Sequence, residues 1–196
     1  MRQGMRTKAA FLTGKVPEMA QVKKPQKAKL FAGVITASQE LLLELKEKLE
    51  GLFGSVDFES EIMAFDSTDY YESQMGTGLA RKFYSFERLV EQDSLAGIKL
   101  STNRLEEDFA GRLSVERPVN IDPGLLLPSK LVLASCKDFS HRIYLGKGVY
   151  GEITLQYMND SFRILPWTFP DYRKEEYHSF FAGVRDVYMR QLKAQR

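Results

Sequence analysis

The chain has 196 residues, of which 43% are hydrophobic and 28% charged, a balance typical of a globular protein with one well-filled core. Its formal net charge of +2 is too small to require a nucleic acid or an anionic membrane as partner. The single cysteine, Cys136, excludes an intrachain disulfide, and no apolar run approaches ~20 residues, so we predict a cytoplasmic protein that does not insert into membranes.

Residues 1–26 carry six basic side chains against one acidic side chain, Glu18, and two prolines interrupt any helix there. This composition predicts a basic, mobile tail. Such a tail is either an unstructured extension or a weak arm for nucleic acid or an acidic partner. The extension is favoured, because six dispersed charges make few phosphate contacts. Residues 27–196 are predicted to form a single domain.

Folded structure is predicted to begin with a continuous apolar run at residues 30–35, which is typical of a central strand. Ser38 then caps a helix whose leucines form one stripe and which ends at Gly54. Alternation at residues 62–65 predicts a second strand. These elements form a strand-helix-strand opening without a glycine-rich phosphate loop.

The second half of the chain is predicted to be rich in strands. A helix capped by Ser94 and ending at Gly111 precedes it, and a last helix follows the Pro170-Asp171 start signal. The predicted strands cover residues 119–121, 131–137, 142–145, 150–157 and 162–165. The fold class is therefore α+β, with a mixed, mostly antiparallel sheet and two further helices packed on it.

Alternation in the predicted hairpin of residues 142–157 suggests a ligand site. If residues 147–149 form a three-residue turn, Tyr144 pairs with Glu152 and Arg142 pairs with Thr154 on a polar face. A second predicted turn, between Cys136 and Arg142, pairs these two residues with each other. The small side chain of Cys136 then leaves room for a ligand above the sheet. The guanidinium of Arg142 suits a carboxylate or phosphate. The alternative is a solvated face with an ordinary surface Arg–Glu pair, and the hairpin alone slightly favours it.

The segment Asn120-Ile121-Asp122-Pro123-Gly124 has a related ambiguity. Asn and Asp at a strand end, followed by a rigid Pro-Gly turn, present a carboxylate to a ligand or to a hard cation. The same residues are also ordinary turn formers. The turn interpretation is favoured when the segment is considered by itself.

Other candidate sites are weaker. One cysteine and two histidines without close spacing disfavour zinc, and no pattern joins Asp66, Asp122 and Glu152 into a magnesium or calcium site. The predicted register separates Cys136 from His141, which favours a buried, inert thiol over a nucleophilic pair. The aromatic segment at residues 167–172 is either a stacking wall or core. The helix face of Lys99, Asn103 and Glu106 is more typical of a solvated surface.

Several segments resemble a bacterial family of uncharacterised proteins that is known as a domain of unknown function. The resemblance rests on Asn-Ile-Asp-Pro-Gly at 120–124, His-Arg-Ile-Tyr-Leu at 141–145, Glu-Ile-Thr-Leu at 152–155, Trp-Thr-Phe-Pro-Asp-Tyr at 167–172, and residues 29–36, 66–81, 102–103 and 137. It covers the chain from about residue 27 onward. Family members are often labelled GTP-binding proteins, yet Gly76-Thr77-Gly78 is not followed by the Lys-Ser or Lys-Thr of a phosphate loop.

These observations favour a protein that binds a small anionic ligand, a nucleotide or a phosphorylated metabolite, over a polar sheet face. Arg142 and Lys137 are the predicted anion contacts, and Asp122 with Glu152 is the predicted acid/base or cation-binding pair. The residues predicted to orient the ligand are Asn120, Tyr144 and Thr154. The sequence assigns no reaction, no cofactor and no oligomeric state.

A second hypothesis is a non-catalytic interaction module. Its partner protein would meet the aromatic side chains of Tyr70, Tyr71, Phe83 and Trp167. RNA binding through the basic tail and the aromatics is the third and weakest hypothesis.

Overall fold

The computed structural model describes residues 21–68 and 70–195 and confirms the α+β class. Within these residues a single sheet of nine strands is combined with four helices. The strands are β1 (Ala28–Thr36), β2 (Val56–Glu59), β3 (Met63–Ala64), β4 (Ala80–Val90), β5 (Val119–Leu127), β6 (Lys130–Ser135), β7 (Ile143–Gly146), β8 (Val149–Met158) and β9 (Ser161–Ile164). The helices are α1 (Gln39–Phe53), α2 (Glu72–Met75), α3 (Leu95–Phe109) and α4 (Glu175–Ala194).

The strands follow the order β2-β4-β1-β5-β6-β8-β7, with β3 added to β4 and β9 added to β8. Every strand pair in the described residues is antiparallel. Helices α1 and α3 pack on one face of the sheet, and α4 packs on the other. The predicted second strand at residues 62–65 is present only as the two-residue β3, and β2, which was not predicted, comes between α1 and β3 in the chain. Both β2 and β3 pair with β4 and not with β1.

Local patterns predicted the central strand and the long helices well. All nine residues of β1 are buried, as a strand covered on both faces requires. The hydroxyl of Ser38 accepts a hydrogen bond from the amide of Leu41, which confirms the predicted cap of α1. In α4 the apolar side chains at helical spacing are also buried, namely Tyr177, Phe181, Val184, Tyr188 and Leu192. Ser94 differs, because its hydroxyl donates to the carbonyl of Glu91 and does not cap α3.

The Asp-Pro-Gly segment is part of a strand and not a turn. Pro123 and Gly124 lie inside β5, where Pro123 faces Ala32 of β1. Pairing with β6 begins only at Gly124, so Pro123 stands where β5 has no neighbour on that side. A residue without an N–H is tolerated at such a position. The turn prediction failed because the apolar residues that continue the strand follow the Pro-Gly pair.

The predicted register of the hairpin is also wrong. A two-residue turn of Lys147 and Gly148, both with positive φ, joins β7 to β8. Tyr144 therefore faces Tyr150 and not Glu152, and β7 does not pair with β6. The predicted polar face of Arg142 and Tyr144 requires Ile143 and Leu145, which alternate with them, to lie in the core. Both side chains are exposed instead. The pairing is shifted by the short turn and by a register irregularity between Tyr144 and Gly146.

Two further predictions concern the N-terminal tail and membrane insertion. Residues 1–20 of the predicted tail lie outside the described residues, and residues 21–26 contain neither helix nor strand. The boundary at residue 27 stays a prediction. Among the described residues, none of the helices has the length and apolar character needed to cross a membrane.

Candidate functional site

A cavity of about 800 Å³ lies at the edge of the sheet where β1 and β6 end and where β4, β5 and β8 begin. Asn103 of α3, Tyr71 of the segment before α2, and Phe169 of the segment before α4 contribute to its walls. This volume is in the range that proteins use to enclose small molecules. Adjacent antiparallel strands place their ends at one edge, which is why residues far apart in the chain meet here.

The floor of the cavity is an ion triad centred on Arg81 of β4. The guanidinium donates from Nη1 to Oδ2 of Asp122 at 3.0 Å and from Nη2 to Oδ2 of Asp171 at 3.1 Å. The side chain of Arg81 is 3% exposed, that of Asp171 8%, and that of Asp122 25%. Asp122 is therefore the member of the triad most open to the cavity.

The two carboxyl groups of the triad are shifted in opposite directions. Burial raises the pKa of Asp122, but Arg81, Lys99 and the amide of Asn120 outweigh it and hold that pKa below its usual range. Burial raises the pKa of Asp171, and Arg81 only partly opposes it. Asp122 is therefore the firmly ionised carboxylate of the pair.

A second set of contacts braces Asp122 from the side of α3. The amide of Asn120 donates to Oδ2 of Asp122 at 2.8 Å, while its carbonyl oxygen accepts from Arg117. Glu106 accepts from Arg117 and from the backbone amide of Ile121. Lys99 is buried and donates to the carbonyl of Ile121 at 2.8 Å, so the expectation of a solvated Lys99 is wrong.

Glu152 anchors the opposite wall. Its Oε2 accepts from Nε of Arg142 at 2.8 Å and lies 3.0 Å from Nε2 of His141. Its Oε1 accepts from the hydroxyl of Thr154 at 3.1 Å. The Glu152 side chain is 1% exposed, and that of Arg142 is 10% exposed, so this contact is a buried ion pair and not a surface pair.

We expect Glu152→Gln to lower the free energy of unfolding by about 1–3 kcal/mol, because buried donors would lose an acceptor. Glutamine has one side-chain oxygen, so it cannot serve both Arg142 and Thr154 in their present positions. Urea denaturation measures the loss. Glu107→Gln, an exposed glutamate of α3, is the matched control. Equal unfolding midpoints for the two variants would refute the anchoring role.

Arg142 and Lys137 present cationic groups at the rim. Nη1 of Arg142 donates to the hydroxyl of Ser135 and to the carbonyl of Lys137, while Nε is held by Glu152. Its Nη2 has no hydrogen-bond partner within the described part of the chain. The exposed Lys137 donates to the hydroxyl of Tyr70. The rim therefore offers one fixed and one movable cation.

Five of the seven predicted site residues line the cavity. They are Asn120, Asp122, Lys137, Arg142 and Glu152. Tyr144 does not, because the two-residue turn places it on the exposed strand β7 against Tyr150. Thr154 is fully buried behind Glu152 and does not line the cavity. No hydrogen bond joins Asp122 to Glu152 in the described residues, and a chemical role for the two stays a prediction.

Three other sequence predictions need correction. Cys136 is exposed and not buried, and its sulfur accepts from the amide of Asn103 at 3.3 Å. His141 was expected to point away from the polar face, but it contacts Glu152 and stacks on Trp167. Phe83 is fully buried and cannot belong to a surface for a partner protein, whereas Tyr70 and Trp167 are exposed.

In the portion that the structure describes, no group of three or more His, Cys, Asp and Glu side chains is placed to hold a metal ion. Asp66, one of the three carboxylates considered from the sequence, is exposed and pairs with Lys174.

Sequence reasoning missed the roles of Arg81 and Asp171. Arg81 alternates with Phe83 and Ser85 along β4, and this places a charge on a face that also carries buried residues. That pattern was the available signal. The sequence places Asp171 at a helix start and in the aromatic segment of residues 167–172, without a charged partner. Its partner Arg81 is 90 residues away in sequence, so no local pattern could connect them.

The chain was compared with known families, curated proteins and solved structures. The family model described as Domain of unknown function (DUF4416) matches residues 26–188. The chain belongs to this family. Neither the curated proteins nor the solved structures include a match. The matched DUF4416 segment contains every cavity residue named above.

Proposed function

We propose that this protein binds a small anionic ligand, a nucleotide or a phosphorylated metabolite, in the cavity at the sheet edge. The observation that carries the proposal is the buried ion pair of Glu152 and Arg142. It holds one guanidinium nitrogen of Arg142 at a cavity wall without a protein partner in the described residues. A fixed guanidinium binds phosphate at a lower entropic cost than a flexible one.

The distribution of charge around the cavity supports one side as the position of the proposed anion. Lys137 lies beside Arg142, because the carbonyl of Lys137 accepts a hydrogen bond from Arg142. The exposed acids Glu107 and Glu116 belong to the α3 side and to the segment after it. Repulsion from these acids directs an anion toward Lys137 and Arg142.

The remaining predicted residues receive different roles in this proposal. Glu152 is a positioning residue that holds Arg142, and Thr154 supports Glu152 from behind. Asn120 orients Asp122. Asp122 is the carboxylate that meets the ligand, and any acid/base step would use it. Tyr144 has no role in the proposed site.

Thermal unfolding in the presence of ligands tests the proposal. The panel contains inorganic phosphate, ribose phosphate, AMP and GTP, the last because of the label attached to related proteins. At a ligand concentration of about 100 times Kd, a true ligand should raise the melting temperature of the wild type by about 5–10 °C. The same ligand should raise that of Arg142→Ala and Lys137→Gln by much less.

Arg163→Ala is the matched control, since Arg163 is an exposed arginine of β9 outside the cavity. It should respond to ligand as the wild type does. The proposal fails if no compound of the panel raises the melting temperature of the wild type more than that of Arg142→Ala.

We also propose that the protein works in a bacterial cytoplasm. Support comes from the exposed free thiol of Cys136 at the cavity, which a reducing compartment preserves.

A further inference from the structure

One oxygen of Asp122 is available to a ligand. Oδ2 already accepts from Arg81 at 3.0 Å and from Asn120 at 2.8 Å. Oδ1 accepts no hydrogen bond from the residues that the structure describes. The side chain is 25% exposed and lines the cavity, so a ligand can reach it. The floor therefore offers a hydrogen-bond acceptor, whereas the rim at Arg142 and Lys137 offers donors.

The acceptor is fixed in place before any ligand arrives. Asp122 lies in β5, which is paired with β1, and two donors on different strands hold its Oδ2. Arg81 and Lys99 keep the pKa of Asp122 low against the effect of burial, so the carboxylate is ionised at neutral pH. An ionised carboxylate only accepts hydrogen bonds, and its partner must carry an O–H or N–H group.

The charge of the floor favours a neutral donor. Asp122, Asp171 and Glu106 are balanced there by three cationic side chains, those of Arg81, Lys99 and Arg117. A balanced floor gives little attraction to an ammonium group, which would also have to lose its hydration. A hydroxyl group is less costly to desolvate and still donates a charge-assisted hydrogen bond to a carboxylate.

We propose that the ligand is a hydroxylated phosphate ester whose phosphate binds Arg142 and Lys137 while a hydroxyl donates to Oδ1 of Asp122. This inference rests on the proposed function and adds the group at the other end of the ligand. Free sugar phosphates and nucleotides share this chemistry. The aromatic rings of Tyr71 and Phe169 in the cavity walls provide a surface against which a base can pack.

Calorimetric titration with a matched series of small phosphates tests the inference. Propyl phosphate and glycerol phosphate have the same carbon chain and differ in hydroxyl groups, and ethanolamine phosphate carries an amine. For the wild type we expect glycerol phosphate to bind about 10–100 times more tightly than propyl phosphate, as a hydrogen bond to a carboxylate allows. Asp122→Asn should remove most of this preference, because the single side-chain oxygen of asparagine is needed by Arg81 and Asn120.

Other outcomes are equally informative. The inference is overturned if the wild type binds propyl and glycerol phosphate equally, or if ethanolamine phosphate binds most tightly. The wild-type comparison needs no variant, so it holds even if Asp122→Asn does not fold. If the wild type binds none of these phosphates or inorganic phosphate, the proposed function itself fails. AMP binding more tightly than ribose phosphate identifies a nucleotide, and equal binding identifies a free sugar phosphate.

Discussion

Arg81→Met is expected to lower the free energy of unfolding by about 3–5 kcal/mol, because it leaves two largely buried carboxylates without their cation. The guanidinium bridges Asp122 and Asp171, and only 3% of its side chain is exposed. Methionine fills similar space but neutralises neither carboxylate. Urea denaturation near neutral pH measures the loss. Arg88→Met, an exposed arginine on the same strand, is the control and should change stability by less than about 0.5 kcal/mol.

The loss in Arg81→Met should depend on pH in a defined direction. In the wild type the low pKa of Asp122 gives stability that is present above the ordinary carboxyl range and lost as pH falls through that low pKa. The raised pKa of Asp171 acts in the opposite sense, so its penalty grows as pH rises toward that value. Without Arg81 each carboxyl group loses the strongest influence that opposes its burial, so both pKa values should rise.

Protonation of the two carboxyl groups then removes a larger unfavourable electrostatic energy from the variant than from the wild type. The difference in unfolding free energy between Arg81→Met and the wild type should therefore shrink as pH is lowered from neutral into the mildly acidic range. Adding Asp171→Asn to Arg81→Met should recover part of the loss at neutral pH. A difference that is independent of pH, or smaller than about 1 kcal/mol, would contradict the ion triad as the source of stability.

Gly124→Ala is expected to destabilise the protein by about 1–3 kcal/mol or more, as overpacking of a filled core does. A β-carbon at this position would lie 2.6 Å from the backbone carbonyl oxygen of Val132 and would press against the ring of Phe31. Phe31 is fully buried and packs on Phe181 at a ring distance of 4.9 Å, so it has little room to move. The backbone of Val132 belongs to the paired strand β6 and is equally restrained.

Gly97→Ala is the control for the same change of residue. Gly97 lies in α3, and a β-carbon there would meet no atom within 4 Å. Alanine in a helix should stabilise by about 0.5–1 kcal/mol relative to glycine. Chemical denaturation should therefore shift the two midpoints in opposite directions. If Gly124→Ala unfolded at the urea concentration of the wild type, the close approach of β1, β5 and β6 at this glycine would be disproved.

Local patterns in the sequence were sufficient for the elements whose cause is local. The apolar run at residues 30–35 predicted β1 because a strand buried on both faces needs apolar side chains at successive positions. Ser38 predicted the start of α1 because its cap bond reaches only three residues along the chain. These features depend on neighbours within one or two helical turns, so the sequence displays them directly.

Features that depend on which strands pair with each other could not be predicted from local sequence patterns. The Asp-Pro-Gly sequence is compatible with a turn and with a strand. In the folded protein it is part of a strand, because it pairs with β1 and, from its glycine onward, with β6. The hairpin register depended on one residue in the turn and on an irregularity between Tyr144 and Gly146, and together they moved the pairing of Tyr144 from Glu152 to Tyr150. A period of two makes strand patterns especially sensitive to such a shift.

The sequence alone determined the fold class, the central strand, the main helices and five residues of the cavity. Only the tertiary structure determined how these five are used. It joined Arg81 to Asp122 across 41 residues and to Asp171 across 90 residues, and it buried Glu152 as the anchor of Arg142. The physical reason is that a charge on a buried face must find a partner, and the order of the strands determines which partner it meets.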